Sequence, residues 1–483
     1  MNYRLIGRLL STVLLIVAAF LLPAMGIALF LGETESLIAF AVTLGVLVAL
    51  ALPLRAFKPT RKHMFAREGF VLTALCWILL SVLGALPFVI SGAIPFWVDA
   101  LFETVSGFST TGATILSDVE SLPRAMLYWR SFTHWLGGMG VLVFLLAIVP
   151  TGSGEALFIM RAESPGPSVG KLVSRLRDSA RILYTLYIIL TVIMYASLRL
   201  TGLAVFDSVI LSLGTAGTGG FGIRNDSLAS YTPAVQWVTA VFMMLFGINF
   251  TIYYLLALRQ FRKALWNEEL RLYLIVILAV TGLCAASIWN QCATVEEAFR
   301  HSFFSVCSVI TSTGFATADF NLWPQVCRMA LVLLMIMGAC AGSTGGGVKV
   351  SRVLILFKSL RIEIRRMLHP NLVAHVRLDD ESVPEETVTG VSTFLAAYAV
   401  IAVVSMLLLS LDGKSFATNT TAVISCLSNI GPGLDTVGPM GNYASFSPAA
   451  KLLLAFDMLV GRLEIFPVLI LFVPRVWKTA RRA

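Results

Sequence analysis

The chain has 483 residues, 57% of them apolar and 13% charged, with a formal net charge of +9 and a mean hydropathy of +0.85. Soluble globular proteins carry roughly 25% charged residues, so these values exclude that class and define an integral membrane protein. The positive charge raises the question of nucleic acid, which its placement along the chain answers.

Windows without Asp, Glu, Lys or Arg run from Leu9 to Gly32, Ser36 to Leu54, Gly69 to Val98, Ser131 to Gly154 and Thr387 to Leu411. Each is near or above the roughly 20 residues that cross a bilayer as helix. Ten spans are predicted, centred near residues 20, 45, 80, 140, 190, 245, 281, 340, 400 and 463. The first apolar run is too long for a signal peptide and is followed at once by a second span, so it is read as retained. With the N-terminus inside, alternate loops (4–8, 55–67, 161–181, 259–271, 349–377 and 475–482) hold 27 of the 36 Lys and Arg residues. This positive-inside bias puts both termini in the cytoplasm and leaves nothing for nucleic acid to explain. The seven cysteines form no CxxC pair and read as small buried hydrophobes.

After the first two spans, each outside loop carries a short polar motif centred on glycine. These are STTGAT around Gly112, GTGGFG around Gly220, TSTGFA around Gly314 and SNIGPG around Gly431, a period near 100 residues. An amphipathic stretch starts thirteen residues ahead of each glycine, at Asp99, Asp207, His301 and Thr418. An acid follows each glycine (Asp118, Asp226, Asp319, Asp435), then a proline (Pro123, Pro233, Pro324, Pro448) suited to starting the next helix. The predicted unit is span, short half-buried helix, glycine loop, span.

Every unit contains two spans, so all four enter and leave on the same side and are related by rotation about the membrane normal. Inverted repeats would need opposite orientations. Four parallel copies enclose a central pore on which the glycine loops converge. Irregular backbone is tolerated at membrane depth where it lines such a cavity, and glycine lets successive carbonyls turn the same way. The predicted ion ligands are the backbone carbonyls of Thr110, Thr111 and Gly112, of Thr218, Gly219 and Gly220, of Ser312, Thr313 and Gly314, and of Asn429, Ile430 and Gly431. Neutral, hard oxygens replace hydration without trapping an ion, which fits potassium or a similar monovalent cation. Asp118, Asp226, Asp319 and Asp435 are expected at the outer mouth, concentrating cations. The short helices would aim their negative C-terminal ends at the pore.

Two intramembrane features exceed what a passive tube needs. The eighth span is interrupted by GACAGSTGGGVK, with Gly338, Gly342, Gly345, Gly346 and Gly347 beside Ser343 and Thr344. That composition cannot hold a continuous helix and predicts a flexible loop below the filter. The last span carries Arg462, expected either to face the pore or to pair with Glu464 or Asp457. The loop 349–386 is charged and amphiphilic, reading either as a solvated, membrane-skimming loop or as a handle for a cytosolic protein.

The strings REGF (67–70), GALPF (84–88), TTGAT (110–114), GGMG (137–140), GGFG (219–222), GACAGSTGGGVKV (338–350), NIGPGL (429–434) and GRLE (461–464) resemble the Trk/Ktr/HKT superfamily of potassium transporters. Within it, the chain is most similar to the Trk-type, TrkH/TrkG-like bacterial potassium uptake proteins. The resemblance spans essentially the whole chain. It implies an all-α membrane protein with four pore repeats around one central pore after two extra N-terminal helices. The repeats are divided as 67–160, 161–264, 265–386 and 387–483 after the helix pair 1–66. It further implies a homodimer in the bacterial inner membrane, gated by a cytosolic TrkA-type nucleotide-binding ring. Gly338, Gly342, Ser343, Thr344, Gly345, Gly346, Gly347 and Arg462 would form the gate. Potassium would be the transported substrate, with no organic cofactor in this chain. Two readings stay open beside a potassium channel: proton- or sodium-coupled potassium symport, and an intramembrane enzyme, for which no nucleophile, nucleotide or metal motif stands out.

Overall fold

In the computed structural model the described residues are 1–56, 65–140, 176–379 and 381–477. The basic residues at 58, 61, 62, 161, 171, 175, 478, 481 and 482, and the proposed repeat boundary at 160/161, lie outside them.

Two long helices, α1 (Tyr3–Leu31) and α2 (Thr34–Ala56), form an antiparallel pair that turns at Gly32, whose φ of 72° is left-handed. Glu33 in that turn accepts from the amides of Arg124 and Ala125 at 2.8 and 3.1 Å. It thereby satisfies first-turn amides of the next bundle's helix, which have no intrahelical acceptor.

Four units follow. The first contains α3 (Ala66–Gly84), the short helix α4 (Trp97–Phe108) and α5 (Arg124–Gly138). The second contains α6 (Leu176–Leu200), α7 (Val205–Ala216), and α8 (Pro233–Phe246) with α9 (Phe250–Ala257). The third contains α10 (Glu268–Ile288), α11 (Val295–Ile310), α12 (Gln325–Met337) and, after the glycine-rich segment, α13 (Val350–Leu368). The fourth contains α14 (Glu385–Leu409), α15 (Phe416–Leu427) and α16 (Pro448–Arg462). A two-residue-per-strand hairpin, β1 (Arg377–Leu378) and β2 (Glu381–Ser382), follows α13. The proposed boundary at 264/265 falls inside a short helix, Phe261–Leu265, and that at 386/387 in the first turn of α14.

The short helices were expected to be half-buried, but the C-terminal halves of α4, α11 and α15 are buried on every face, and that of α7 everywhere but at Leu213. In α4 the whole run Phe102–Phe108 is inaccessible, and α11 is buried at every position from Ser302 to Ile310. They sit inside a ring of spans, so the apparent polar face (Ser302, Ser305, Ser308) is packed against protein. The expected prolines do start the second helix of each unit: Pro123 and Pro324 as N-caps, Pro233 and Pro448 as first residues.

Six described helices are long and apolar enough to cross a membrane, and α8 with α9 makes a further candidate bent by 89°. The predicted spans near 140, 340 and 463 contain shorter helices, α5, α12 and α16. Only the third unit was expected to break, yet the second helix of the second and fourth units breaks as well. After α8 the chain turns at Gly247–Asn249, where a Cβ on Gly247 would overlap the Tyr273 hydroxyl and approach Thr311 Cγ2 at 2.7 Å. After α16, Glu464 and Ile465 adopt φ of 57° and 68°. Close packing below the glycine loops leaves no room for straight helices.

Candidate functional site

Each short helix ends in the same way. The residue two before the central glycine has positive φ (Thr110 58°, Thr218 53°, Ser312 57°, Asn429 56°), and so has the glycine (Gly112 76°, Gly220 79°, Gly314 84°, Gly431 98°). The residue between them is absent from the positive-φ set. Its amide turns back onto the helix: Thr111 N to Ser106 O and Gly219 N to Gly214 O at 2.9 Å, Thr313 N to Ser308 O at 2.8 Å, Ile430 N to Ser425 O at 2.9 Å. These bonds use carbonyls that a helix C-terminus leaves orphaned. With the amides so occupied, alternating backbone handedness leaves the loop carbonyls free to face one side.

The four loops close into a ring. A Cβ on Gly112 would collide with the carbonyl oxygen of Gly219, one on Gly220 with that of Thr313, one on Gly314 with that of Ile430, and one on Gly431 with that of Thr111 at 2.6 Å. Each unit touches the next in chain order, and the fourth touches the first. Buried hydroxyls brace the loops from within and join the fourth to the first. Ser109 and Thr111 share a 2.7 Å hydroxyl contact, as do Thr311 and Thr313, and Asn429 Nδ2 donates to Thr111 Oγ1 at 3.0 Å across the fourth and first units.

Directly beside this ring lies the glycine-rich segment. Gly346 N donates to Ser312 Oγ at 2.5 Å, and a Cβ on Gly345 would come within 2.7 Å of the Thr311 carbonyl. The flexible loop expected from composition is instead pinned. Val348 N, Lys349 N and Val350 N donate to the carbonyls of Ile336, Met337 and Ala339 at 3.1, 2.9 and 3.0 Å, closing a stem. Its tip interlocks with the break in the second unit, through Cys340 N to Gly247 O and Phe250 N to Gly342 O, both 3.1 Å. Gly338, Gly342 and Gly347 have positive φ, which this folded-back path requires.

Arg462 closes the arrangement. Its guanidinium donates to Thr344 O at 3.0 Å and to Gly137 O and Gly138 O at 2.5 Å, joining the fourth, third and first units. The salt bridge weighed with Glu464 or Asp457 is not how those carboxylates are held: Glu464 pairs with Arg352, and Asp457 accepts from Ser405 Oγ at 2.8 Å. The helix ends at Arg462, and the left-handed backbone at Glu464 turns that carboxylate towards Arg352 instead.

On the face formed by the residues that follow the central glycines, a cavity of about 110 Å³ opens over Gly112, Gly220, Gly314 and Gly431. None of the four aspartates lines it. Asp118 accepts from Asn225 Nδ2 at 2.9 Å, Asp226 from Ser230 Oγ at 3.2 Å, Asp319 from the Asn321 amide at 3.0 Å, and Asp435 from Thr418 Oγ1 at 2.9 Å and from Ser415. The Asn225 bond holds the Asp118 carboxyl below its usual range, and the Ser415 and Thr418 hydroxyls do the same for Asp435. The charged residues that do line the cavity are Arg130 and Arg224.

Arg130 belongs to a buried strut that sequence reasoning missed. Its Nε meets Glu103 Oε1 at 2.6 Å, its Nη1 donates to Gly222 O at 3.1 Å, and its guanidinium lies 3.6 Å from the Phe221 ring centre. Glu103 also accepts from Thr114 Oγ1 and the Ile115 amide at 3.0 Å. His134 donates from Nδ1 to Gly107 O at 2.7 Å beneath the first loop. Glu269 was likewise missed, because an acid in a first turn passes for a routine helix start. The signal for Glu103 was a carboxylate in the middle of the short helix, beyond the first turn where Asp99 sits.

Four span–short helix–loop–span units closed into one ring define the pore-loop class of membrane cation-transport proteins. The chain belongs to the TrkH family of cation transport proteins, matching it over residues 38–479. It is 35% identical over 488 residues to the Trk system potassium uptake protein TrkH of Salmonella typhimurium, covering 99% of this chain and 100% of that protein. It is 35% identical over 468 residues to the Trk system potassium uptake protein TrkG of Escherichia coli, covering 95% of each. The crystal structure of the potassium transporter TrkH from Vibrio parahaemolyticus matches with a TM-score of 0.88 at 30% identity, over 99% of this chain and 100% of that one.

Proposed function

We propose that this protein takes up potassium through the four-loop ring, with the carbonyls of residues 110–112, 218–220, 312–314 and 429–431 as the selectivity filter. The observation that carries this is the cyclic contact of each central glycine with the carbonyl before the next one. That contact supports a reading in which four similar oxygens surround one axis, the geometry that neutral-ligand cation filters need. Thr110 Oγ1, buried without a hydrogen-bond partner among the described residues, is available as an additional ligand. The names of the relatives support potassium as the substrate.

The 338–347 loop and Arg462 act together as the gate. Support comes from the loop's position against Ser312 and from the arginine's reach across three units. A guanidinium there repels an entering cation in a passage where screening by water is poor. The four aspartates fasten the loops that rim the mouth, and their field there is a secondary contribution. The positive-inside pattern supports cytoplasmic termini in a bacterial inner membrane. A cytosolic nucleotide-binding ring of the TrkA type and a second copy of the chain would complete the system, with α13 and the hairpin as the cytoplasmic handle.

Asp457, buried in α16 with its Oδ2 lacking a hydrogen-bond partner among the described residues, gives proton-coupled symport standing as a second reading. Reversal potentials in proteoliposomes under opposed potassium and proton gradients decide between them. A channel follows potassium alone, and a symporter shifts with both. Currents with no preference for potassium over sodium would refute the filter assignment.

A further inference from the structure

We propose that Glu269 is the latch that holds the glycine-rich loop in place and ties it to the cytoplasmic helix α13, a proposal that rests on reading that loop as the gate. The carboxylate is buried at the start of α10. One of its oxygens, Oε1, accepts from the Ala341 amide at 2.7 Å and from the Ser351 amide at 3.0 Å. The two amides lie on opposite sides of the glycine-rich turn, one before it and one in the first turn of α13. First-turn amides lack intrahelical acceptors, and a carboxylate there also meets the positive end of the helix dipole. A single oxygen shared between loop and helix cannot keep both bonds when α13 shifts against α10.

The neighbouring residue extends the connection to the cytoplasmic side. Glu268 pairs with Lys358 of α13, and Lys358 also donates to the Arg377 carbonyl in β1 at 2.8 Å. Asp379, in the hairpin turn, accepts from Glu268 N at 2.8 Å and from Asn267 Nδ2 at 2.6 Å. The start of α10 is thus gripped by α13 and the hairpin through Asn267 and Glu268, and grips the loop through Glu269. A displacement of α13 or the hairpin reaches the loop through contiguous hydrogen bonds. Pulling α13 from α10 takes the Ser351 amide off Glu269 and, through the short chain joining α13 to the loop, draws the loop against its remaining anchor at Ala341 and away from the filter.

The test uses the full-length protein in liposomes without any cytosolic partner. Potassium and sodium fluxes are measured for Glu269→Ala, Glu269→Gln and a deletion of 342–346. Glu269→Ala and Glu269→Gln are each also combined with Ser343→Cys in a Cys292→Ser background, so that a membrane-impermeant thiol reagent reports access to the loop, the other six cysteines being buried; the deletion is read by flux alone. Glu269→Ala should raise potassium flux about tenfold, the loss of charge-assisted bonds to two amides, and speed modification of the Ser343→Cys thiol, at unchanged potassium-to-sodium ratio. Glu269→Gln keeps an oxygen for both amides and loses only the charge, so a rise of about two- to fivefold is expected. A merely structural residue would instead lower flux and folded yield together, with no graded rescue. Should Glu269→Ala not fold, Glu269→Gln decides alone, and wild-type flux and thiol access in it overturn the latch. Unchanged flux in folded Glu269→Ala beside a loop deletion that raises flux overturns the latch and keeps the gate. A folded loop deletion that raises nothing overturns the gate and the latch with it.

Discussion

Gly314→Ser places a Cβ into one of the four contacts that close the ring. Gly314 has φ of 84°, and the added atom would overlap the Ile430 carbonyl oxygen and lie 3.0 Å from Pro432 Cδ. Holding a non-glycine residue in left-handed backbone costs about 1–2 kcal/mol. The overlap comes on top, and both are relieved only if Ile430 turns its carbonyl aside or the third loop backs away from the axis. In either case one of four ring oxygens moves, and the strain sets the scale of the effect. About 1–2 kcal/mol of lost discrimination is a factor of roughly 5–30 in potassium over sodium preference. The assay is paired potassium and sodium flux into liposomes holding equal amounts of monodisperse protein. Folded Gly314→Ser with wild-type selectivity would refute the claim that these carbonyls choose the ion.

Arg462→Ala should raise potassium flux about five- to tenfold, ~1–1.4 kcal/mol of barrier, and combining it with the 342–346 deletion should add little, since contacting groups do not act additively; additive effects would show two separate barriers. Glu464 keeps Arg352 as partner in that variant, so the fold should hold. Arg130→Leu leaves Glu103 buried without its partner and should cost about 3–5 kcal/mol of stability, read as a lower melting midpoint. Arg130→Leu with Glu103→Leu should recover part of that loss. Because Asp118 is held below its ordinary 3.8, its contribution to stability is present above that value and lost as pH falls through the depressed one. The stability difference between wild type and Asp118→Asn should therefore shrink in scans below about pH 4 and stay flat from pH 5 to 7; a difference growing towards acid would reverse the sign and refute it.

The repeat was legible because its punctuation is local: a glycine, an amphipathic stretch that starts thirteen residues ahead of it, and a proline after it. Half of the ring's backbone geometry was legible too, since glycine is the ordinary residue for positive φ. The other half was not. Thr110, Thr218 and Ser312 adopt left-handed backbone because their neighbours' amides return to the short helix, which no composition announces, and only Asn429 is a residue type enriched there. The breaks at Gly247–Asn249 and Glu464–Ile465 were invisible for the same reason: each is forced by packing under the ring rather than by a run of glycines. The opposite held at 338–347, where glycine content suggested slackness and tertiary hydrogen bonds supply order. Arg462 was recognisable as a costly intramembrane charge, but its acceptors are carbonyls from units more than 100 residues away in sequence. Glu103, Arg130 and Glu269 escaped because a single charge in a helix has many uses, and only three-dimensional proximity selects one.

The most direct measurement is anomalous diffraction or high-resolution density from this protein prepared in rubidium or thallium, ions that stand in for potassium. A peak is expected on the axis, within coordination distance of the carbonyl oxygens of Thr111, Gly219, Thr313 and Ile430, and it should weaken in Gly314→Ser. Ordered filter loops with no ion between them, or a site elsewhere in the chain that survives Gly314→Ser, would contradict the four-carbonyl ring as the place where the cation is chosen.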